Sequence, residues 1–216
     1  MTFSIVARDP RTGAFGAATA TAGPAVGALV IHGAARVGAI ATQAMTNPLY
    51  GIQGIARLRE GFTATETLAM LLREDPEAAR RQVMIVDRSG SVAHWSGPLC
   101  GVYADSLSVN DGAVGGNLLL NAETLAEMRR EYQLRSELPF ADRLLAAMRA
   151  GAVAGGDRRG MHSAALKIWY DREYPDVDAR ADWSATPLDT LQEVLHQLRQ
   201  PLFAGFFAEI PKGDPQ

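Results

Sequence analysis

The sequence predicts an α+β fold in which two antiparallel sheets lie between outer layers of helices. Three observations carry this expectation. The elements run strands, helices, strands, helices, a strand pair and a helix, which is not the regular alternation of a doubly wound sheet. Two short connections, Asp9-Pro10-Arg11-Thr12-Gly13 and Arg88-Ser89-Gly90, carry the turn chemistry that joins neighbouring strands as hairpins. The first 45 residues are rich in Gly, Ala, Thr and Val, which suits strands packed closely on both faces.

In chain order, 3–8 and 15–22 read as the first hairpin. Residues 26–31 and 36–43 read as two further strands, with a turn at Gly33. The period then changes. Ile52, Ile55, Ala56 and Leu58 lead to a helix stop at Gly61. Thr63 opens the next helix, with Glu66 placed three residues on for a capping box and Leu68, Leu71 and Leu72 as its apolar stripe. Pro76 starts a short helical turn. Residues 82–87 and 91–95 form the second hairpin. Residues 106–119 read as apolar segments around a Gly-rich turn. Helices follow at 122–132 and 139–150, the second ending at Gly151. Strands are expected at 163–170 and, from alternating charged and apolar residues, at 176–183. An amphipathic helix over 187–198 closes the chain, with residues 213–216 frayed.

The length of 216 residues fits a single domain over 1–216, in which 184–216 forms a C-terminal helix and tail. A net charge of −3 and the absence of a basic cluster argue against nucleic acid as a partner. No apolar run approaches the ~20 residues that span a bilayer, and charged residues interrupt the N-terminus before any signal-like stretch. The expected location is cytoplasmic, with no membrane partner. The lone Cys100 excludes an internal disulfide, and no Cys/His spacing suggests zinc. Neither a metal nor a cofactor is expected. Lysine occurs only at Lys167 and Lys212, so a mechanism that needs a lysine on an early strand is excluded.

Five segments could carry chemistry. Thr2 follows Met1, and removal of the methionine would leave a residue holding both a nucleophilic hydroxyl and its own base, the α-amine. Read locally, it is also an ordinary chain start. Gln43, Asn47 and Tyr50 in the stretch 41–51 offer neutral donors for a substrate carbonyl, although Asn47-Pro48 reads equally as a helix cap. Gly116 and Asn117, within Val114-Gly115-Gly116-Asn117, suit an oxyanion hole or a tight turn between strand and helix. Asp157, Arg158 and Arg159, followed by His162 and Ser163, could clamp a carboxylate or form a solvated loop. Finally, Asp176, Asp178, Arg180 and Asp182 share one strand face, which suits a cation less well than an ion-paired surface because Arg180 sits among the carboxylates. His32, His94 and His196 fall outside every such segment.

Taken together, the segments 1–10, Ala41-Thr42-Gln43 with Asn47 and Tyr50-Gly51, 114–117, and 155–160 with Ser163-Ala164 resemble the DUF1028 family, in order from Thr2 to about Trp183. That family is grouped with the N-terminal nucleophile (Ntn) hydrolases. The resemblance implies their four-layer αββα sandwich and an amidohydrolase that cleaves a small-molecule amide through Thr2. It implies that Asn117, or backbone N–H groups near Gly116, stabilise the oxyanion, while Asp157 and Arg159 orient the amine or bind a substrate carboxylate. It departs from the proteasome branch, which uses an early-strand lysine. The alternative is a non-catalytic αββα protein that captures a small carboxylate at the Arg158–Arg159 loop. The apolar segment Leu202-Phe203-Ala204-Gly205-Phe206-Phe207 and the 176–182 strand further suggest a homodimer or larger homo-oligomer, unless the tail packs back on its own core.

Overall fold

The computed structural model describes residues 2–215. A six-stranded antiparallel sheet takes the order β10-β9-β2-β1-β8-β7. Its strands are β1 (Thr2–Arg8), β2 (Phe15–Thr21), β7 (Asp105–Val109), β8 (Gly112–Asn117), β9 (Ser163–Trp169) and β10 (Val177–Ala181). A four-stranded antiparallel sheet follows the order β3-β4-β5-β6, from β3 (Ile31–Ala34), β4 (Gly38–Ala44), β5 (Arg81–Asp87) and β6 (Val92–Ser96). Helices α1 (Leu49–Arg59) and α2 (Ala64–Glu74) cover the smaller sheet. Helices α3 (Glu123–Leu134), α4 (Phe140–Val153) and α5 (Pro187–Leu198) cover the larger one, and α6 (Pro201–Glu209) follows. This is the expected αββα sandwich.

Strand periodicity sorts the apolar residues into three layers. On β1, Phe3 and Ile5 face α3 and α4 with Met128, Leu144 and Met148, whereas Val6 faces the other sheet with Phe15, Ala41, Met84 and Trp169. Ile40, Val83 and Ile85 of the smaller sheet pack under Tyr50, Leu58 and Leu71. Helix α2 begins as expected: Thr63 and Glu66 form a complete capping box, and Gly61 ends the preceding helix at φ +101°.

Five local expectations are corrected. Residues 26–31 are not a strand; Val26–Ala28 form a single 3-10 turn entered through Ala25 at φ 52°, and the strand begins at Ile31. Gly33 is therefore not a turn residue. A Cβ at this position would lie 2.5 Å from the Trp169 ring, so glycine is required for close approach. Gly33→Ala should cost about 1–3 kcal/mol, read as a lower urea midpoint; an unchanged midpoint would show that the ring gives way freely. In the 105–117 hairpin the turn lies at Asn110-Asp111, not at the glycines. Gly115 and Gly116 sit inside β8 because Met84 and Leu119 crowd the space that their side chains would fill. Gly151 does not end its helix; it lets α4 pack against Met128 and continue to Val153.

The tail is likewise docked rather than frayed as far as Pro215. The Lys212 carbonyl accepts from the Glu173 N–H (3.0 Å), and the Pro215 carbonyl accepts from Arg36 (3.3 Å). Met1 and Gln216, on which the methionine-removal and fraying expectations partly fall, lie outside the described residues. Helix α6 does not pack its apolar residues back on the core: Leu202 and Phe206 are 78% and 62% exposed. Among the described helices none is long and apolar enough to cross a membrane.

Candidate active site

The ends of four adjacent strands bring polar residues into one row. In the ladder Thr2 pairs with Thr21 on one side and Asn117 on the other, and Thr21 pairs with Ser163. Because β1 is an interior strand and Thr2 shares the face of Ser4 and Val6, its side chain points between the sheets. Chain starts ordinarily fray. Thr2 is instead 6% exposed, at the end of an interior strand of the larger sheet.

The opposing sheet contributes a second row, in which Gln82 pairs with Gln43 and Ser96. The two rows interlock. Gln43 Nε2 and Asn117 Nδ2 each donate to the Thr2 carbonyl at 3.4 Å, and both also donate to Gln82 Oε1, at 2.7 and 3.0 Å. Gln82 Nε2 faces the Gly116 carbonyl, the Asp105 carbonyl and Ser96 Oγ at 2.8–3.0 Å. Ser4 Oγ stands 2.6 Å from Gln43 Oε1 and 2.8 Å from Thr19 Oγ1. Thr2 Oγ1 meets Thr21 Oγ1 at 3.3 Å. Every group in this core is a neutral amide or hydroxyl. One atom stands out: Asn117 Oδ1 is buried with no hydrogen-bond partner, a condition that costs ~1–3 kcal/mol.

The 155–163 segment borders this site. Asp157 is buried; its Oδ2 accepts from the Ala22 N–H (3.0 Å), directly after Thr21, and its Oδ1 accepts from the Arg159 N–H (2.8 Å). The Arg159 guanidinium closes an ion pair onto the same carboxylate at 3.2 Å. Arg158 is exposed in the same loop. The His162 N–H donates to the Thr21 carbonyl (2.8 Å), while its ring stacks on Trp183. Ser163 Oγ donates to the Gly23 carbonyl (2.6 Å) and accepts from the Val26 N–H (3.2 Å), so it anchors the segment after β2.

Asn47 and Tyr50 take a different position, on the outer face of the smaller sheet, around Asp75. Asn47 Nδ2 donates to Asp75 (3.4 Å), Asn47 Oδ1 caps the Leu49 N–H (3.2 Å), and Arg81 Nε pairs with Asp75 at 2.8 Å. The chain leaves β4 after Ala44 and turns into α1, which packs on the outer face, whereas Gln43 shares the inward face with Ala41; Thr42 faces outward and donates to the Asn47 carbonyl. Tyr50 Oη lies against Asp75 outside hydrogen-bond geometry; burial, with the Asp75 charge added, pushes its pKa up. For Asp75, burial acts to raise the carboxyl, but Arg81, the Glu77 N–H and Asn47 outweigh it and hold the pKa at about 2. Its folded value lies below the ordinary 3.8, so its contribution to stability is complete above that pH and is lost as pH falls towards 2. Asp75→Asn should flatten this acid limb of the stability curve; an unaltered limb would show that Asp75 plays no part in it.

The strand expected to hold paired charges does so: Asp178 pairs with Lys167 and Arg180, and Asp176 with Arg172.

Sequence reasoning did not single out Gln82, Thr21, Ser4 or Thr19. The available signal was strand parity. Gln82 occupies the inward row continued by Met84 and Val86, and Ser4 the inward row continued by Val6, so each is a polar residue at a core position.

The model of DUF1028, a family of unknown function, matches residues 2–191. The chain belongs to the DUF1028 family. A solved DUF1028 structure, protein SPO2555 from Silicibacter pomeroyi, is 29% identical, with all of this chain and 97% of that one covered at a TM-score of 0.91. Two Anbu structures, an ancestral β-subunit from Yersinia bercovieri and a Gly-1 mutant from Hyphomicrobium sp. strain MC1, align at TM-scores of 0.41 and 0.39. Their identities are 9% and 12%, over 97% and 99% of this chain and 98% and 100% of theirs. No curated protein matches. The DUF1028 match covers every residue of the two polar rows, whereas α6 lies beyond it.

Proposed function

We propose that the protein hydrolyses a small-molecule amide, with Thr2, made N-terminal by removal of Met1, as nucleophile and base together. The observation that carries this reading is the burial of Thr2 at the end of an interior strand, its side chain between the two sheets and its carbonyl held by two amide side chains.

In this mechanism Thr2 Oγ1 attacks the amide carbon while its proton passes to the Thr2 amine. The amine then returns the proton to the leaving nitrogen, the C–N bond breaks, and an ester to Thr2 remains. Water, deprotonated by the same amine, hydrolyses that ester and restores the hydroxyl. An ordinary α-amine, with a pKa of about 7.7–8.0, is partly free base near neutrality and can take the hydroxyl proton without an early lysine.

The roles of the neighbours follow from their bonds. Both Asn117 N–H groups are already directed at the Thr2 carbonyl and Gln82, so Asn117 acts as a positioning residue. Its unpartnered Oδ1 is an acceptor that a freed Thr2 amine could satisfy. Gln43 fixes the Thr2 carbonyl from the opposite sheet, and Asp157, held by Arg159, fixes the segment that follows Thr21.

Intact mass and an amide panel test the reading together. The expected result is a mass lacking Met1 and amide turnover that Thr2→Ala removes. Quantitative retention of Met1 in an active protein would overturn it.

A further inference from the structure

The end of the sandwich at which β1 starts is ringed by interlocked loops. Strands β1, β3, β5, β7 and β9 begin at this end, and β2, β4, β6, β8 and β10 finish there. Main-chain hydrogen bonds tie their flanking segments to one another. The Ala25 N–H donates to the Asp182 carbonyl (2.9 Å), Ser184 to His162 (2.7 Å), Leu120 to Gly156 (3.3 Å), Leu99 to Ala79 (2.9 Å), Met45 to Arg80 (3.1 Å) and Thr42 to Val30 (2.9 Å). Gly101 closes the remaining gap: a Cβ there would strike the Leu118 side chain. Thr2, paired with Thr21 and Asn117, starts its strand inside this collar.

The collar is strained as well as interlocked. Ala25, Ala44, Tyr103 and Leu118 hold φ at 52°, 71°, 52° and 50°, a region that a non-glycine residue keeps only where its surroundings enforce it, as they do at binding sites. Among the described residues the other two non-glycine residues of positive φ, Arg36 and Asp111, turn hairpins at the opposite end. The same loops expose large apolar side chains. Met45, Leu99, Val102, Tyr103, Leu120 and Trp183 are each more than half exposed. The Trp183 indole is nevertheless held, stacked on the His162 ring at 4.7 Å between centroids. Three of the neighbouring arginines are answered by carboxylates: Arg80 by Glu77, Arg81 by Asp75 and Arg159 by Asp157.

We propose that the collar binds the acyl part of the amide, and that this part is an uncharged hydrocarbon body. The inference rests on Thr2 as the nucleophile. The six apolar side chains come from four loops distributed around the start of β1, which suits a small ligand anchored there; the exposed residues of α6, by contrast, are gathered on one short helix. Loops fixed by a rigid scaffold are where binding residues concentrate. The acyl part is also the part that stays on Thr2 in the ester, so contacts with it serve both the attack on the amide and the attack by water.

The test compares kcat/KM for acetamide, butanamide and hexanamide with that for 5-carbamoylpentanoate, which is hexanamide with its methyl replaced by a carboxylate. Burial is worth about fourfold per methylene, so hexanamide should exceed acetamide by at least about 30-fold, and 5-carbamoylpentanoate should lose most of that gain. Val102→Asp and Trp183→Ser, each at an exposed position, should each narrow the hexanamide-to-acetamide ratio at least fivefold. Leu202→Asp on α6, which Arg172 ties to the β9–β10 connection at the opposite end, should keep the ratio. A ratio near one, a 5-carbamoylpentanoate rate equal to that of hexanamide, or an unchanged ratio in both collar variants would each overturn the proposal. So would a change of native mass in Val102→Asp, which would make the collar an interface between copies. Calorimetric titration of Thr2→Ala separates this proposal from the catalytic one. Hexanamide bound at least tenfold tighter than acetamide by a protein whose parent turns over no amide would overturn the nucleophile reading and leave the collar's preference standing. Equal binding of the two would overturn the collar proposal whatever the turnover.

Discussion

Thr2→Ala should lower amide turnover by about 10³–10⁶-fold, the range over which removing a nucleophile leaves only what binding and the remaining polar groups provide. Thr2→Ser should retain turnover within about 100-fold of the parent. Serine keeps the hydroxyl and, once Met1 is removed, the amine, and loses only the methyl that stiffens χ1. That loss misplaces the hydroxyl by a fraction of its reach rather than removing it, and misplacement of about 1 Å is worth about 10² in rate. Thermal midpoints should move little in either variant, since Thr2 makes one 3.3 Å side-chain hydrogen bond, to Thr21. The expected pattern is thus a large kinetic loss with a small stability change. The pH profile adds a second readout. The amine must be unprotonated to take the hydroxyl proton, so kcat/KM should rise with pH through its pKa. Full activity in Thr2→Ala would move the search for chemistry away from the N-terminus.

The layers of this fold are legible in the sequence because its turns and caps are written locally. Asp9 to Gly13, the Thr63–Glu66 box and Gly61 each specify their element within a few residues. The misplaced elements are those whose residues serve long-range packing. Gly33 looks like a turn residue until Trp169, more than a hundred positions away, is seen lying against it. Gly115 and Gly116 look like a loop until Met84 and Leu119 fill the space above them. The same division runs through the site. Thr2, Asn117 and Gln43 are marked by type and by strand ends, and the structure brings them within contact of one another. Asn47 and Tyr50 lie only a few residues from Gln43, but the chain turns after Ala44 into α1 on the far side of the sheet, beside Asp75. Gln82 carries no motif, since its role depends on four strands, β4, β6, β7 and β8, that meet it from elsewhere.

Gln82→Leu should be among the most destabilising single substitutions in this protein, by about 3–6 kcal/mol, although Gln82 stands outside the DUF1028-like segments that suggested the site. Its side chain is fully buried and ties the sheets together. Oε1 accepts from Gln43 and Asn117, and Nε2 serves Ser96 and the Gly116 and Asp105 carbonyls. Leucine has similar bulk and satisfies none of them. Each stranded donor or acceptor costs ~1–3 kcal/mol, against a total stability of ~5–15 kcal/mol for a domain. At this chain length the loss corresponds to a fall in Tm of roughly 6–24 °C. Gln82→Glu should be no better. It keeps the acceptors for Gln43 and Asn117 but turns the donor that faces two carbonyl oxygens into a buried negative oxygen. The partners decide between a local and a network effect. If the hub holds Gln43 and Asn117 on the Thr2 carbonyl, then Gln43→Leu combined with Gln82→Leu should destabilise the protein by less than the sum of the two single changes, because the first already removes one of the groups that the second strands. Strict additivity, or a loss below about 1 kcal/mol in Gln82→Leu, would mean that these amides find other partners and that the fixation of Thr2 does not depend on them.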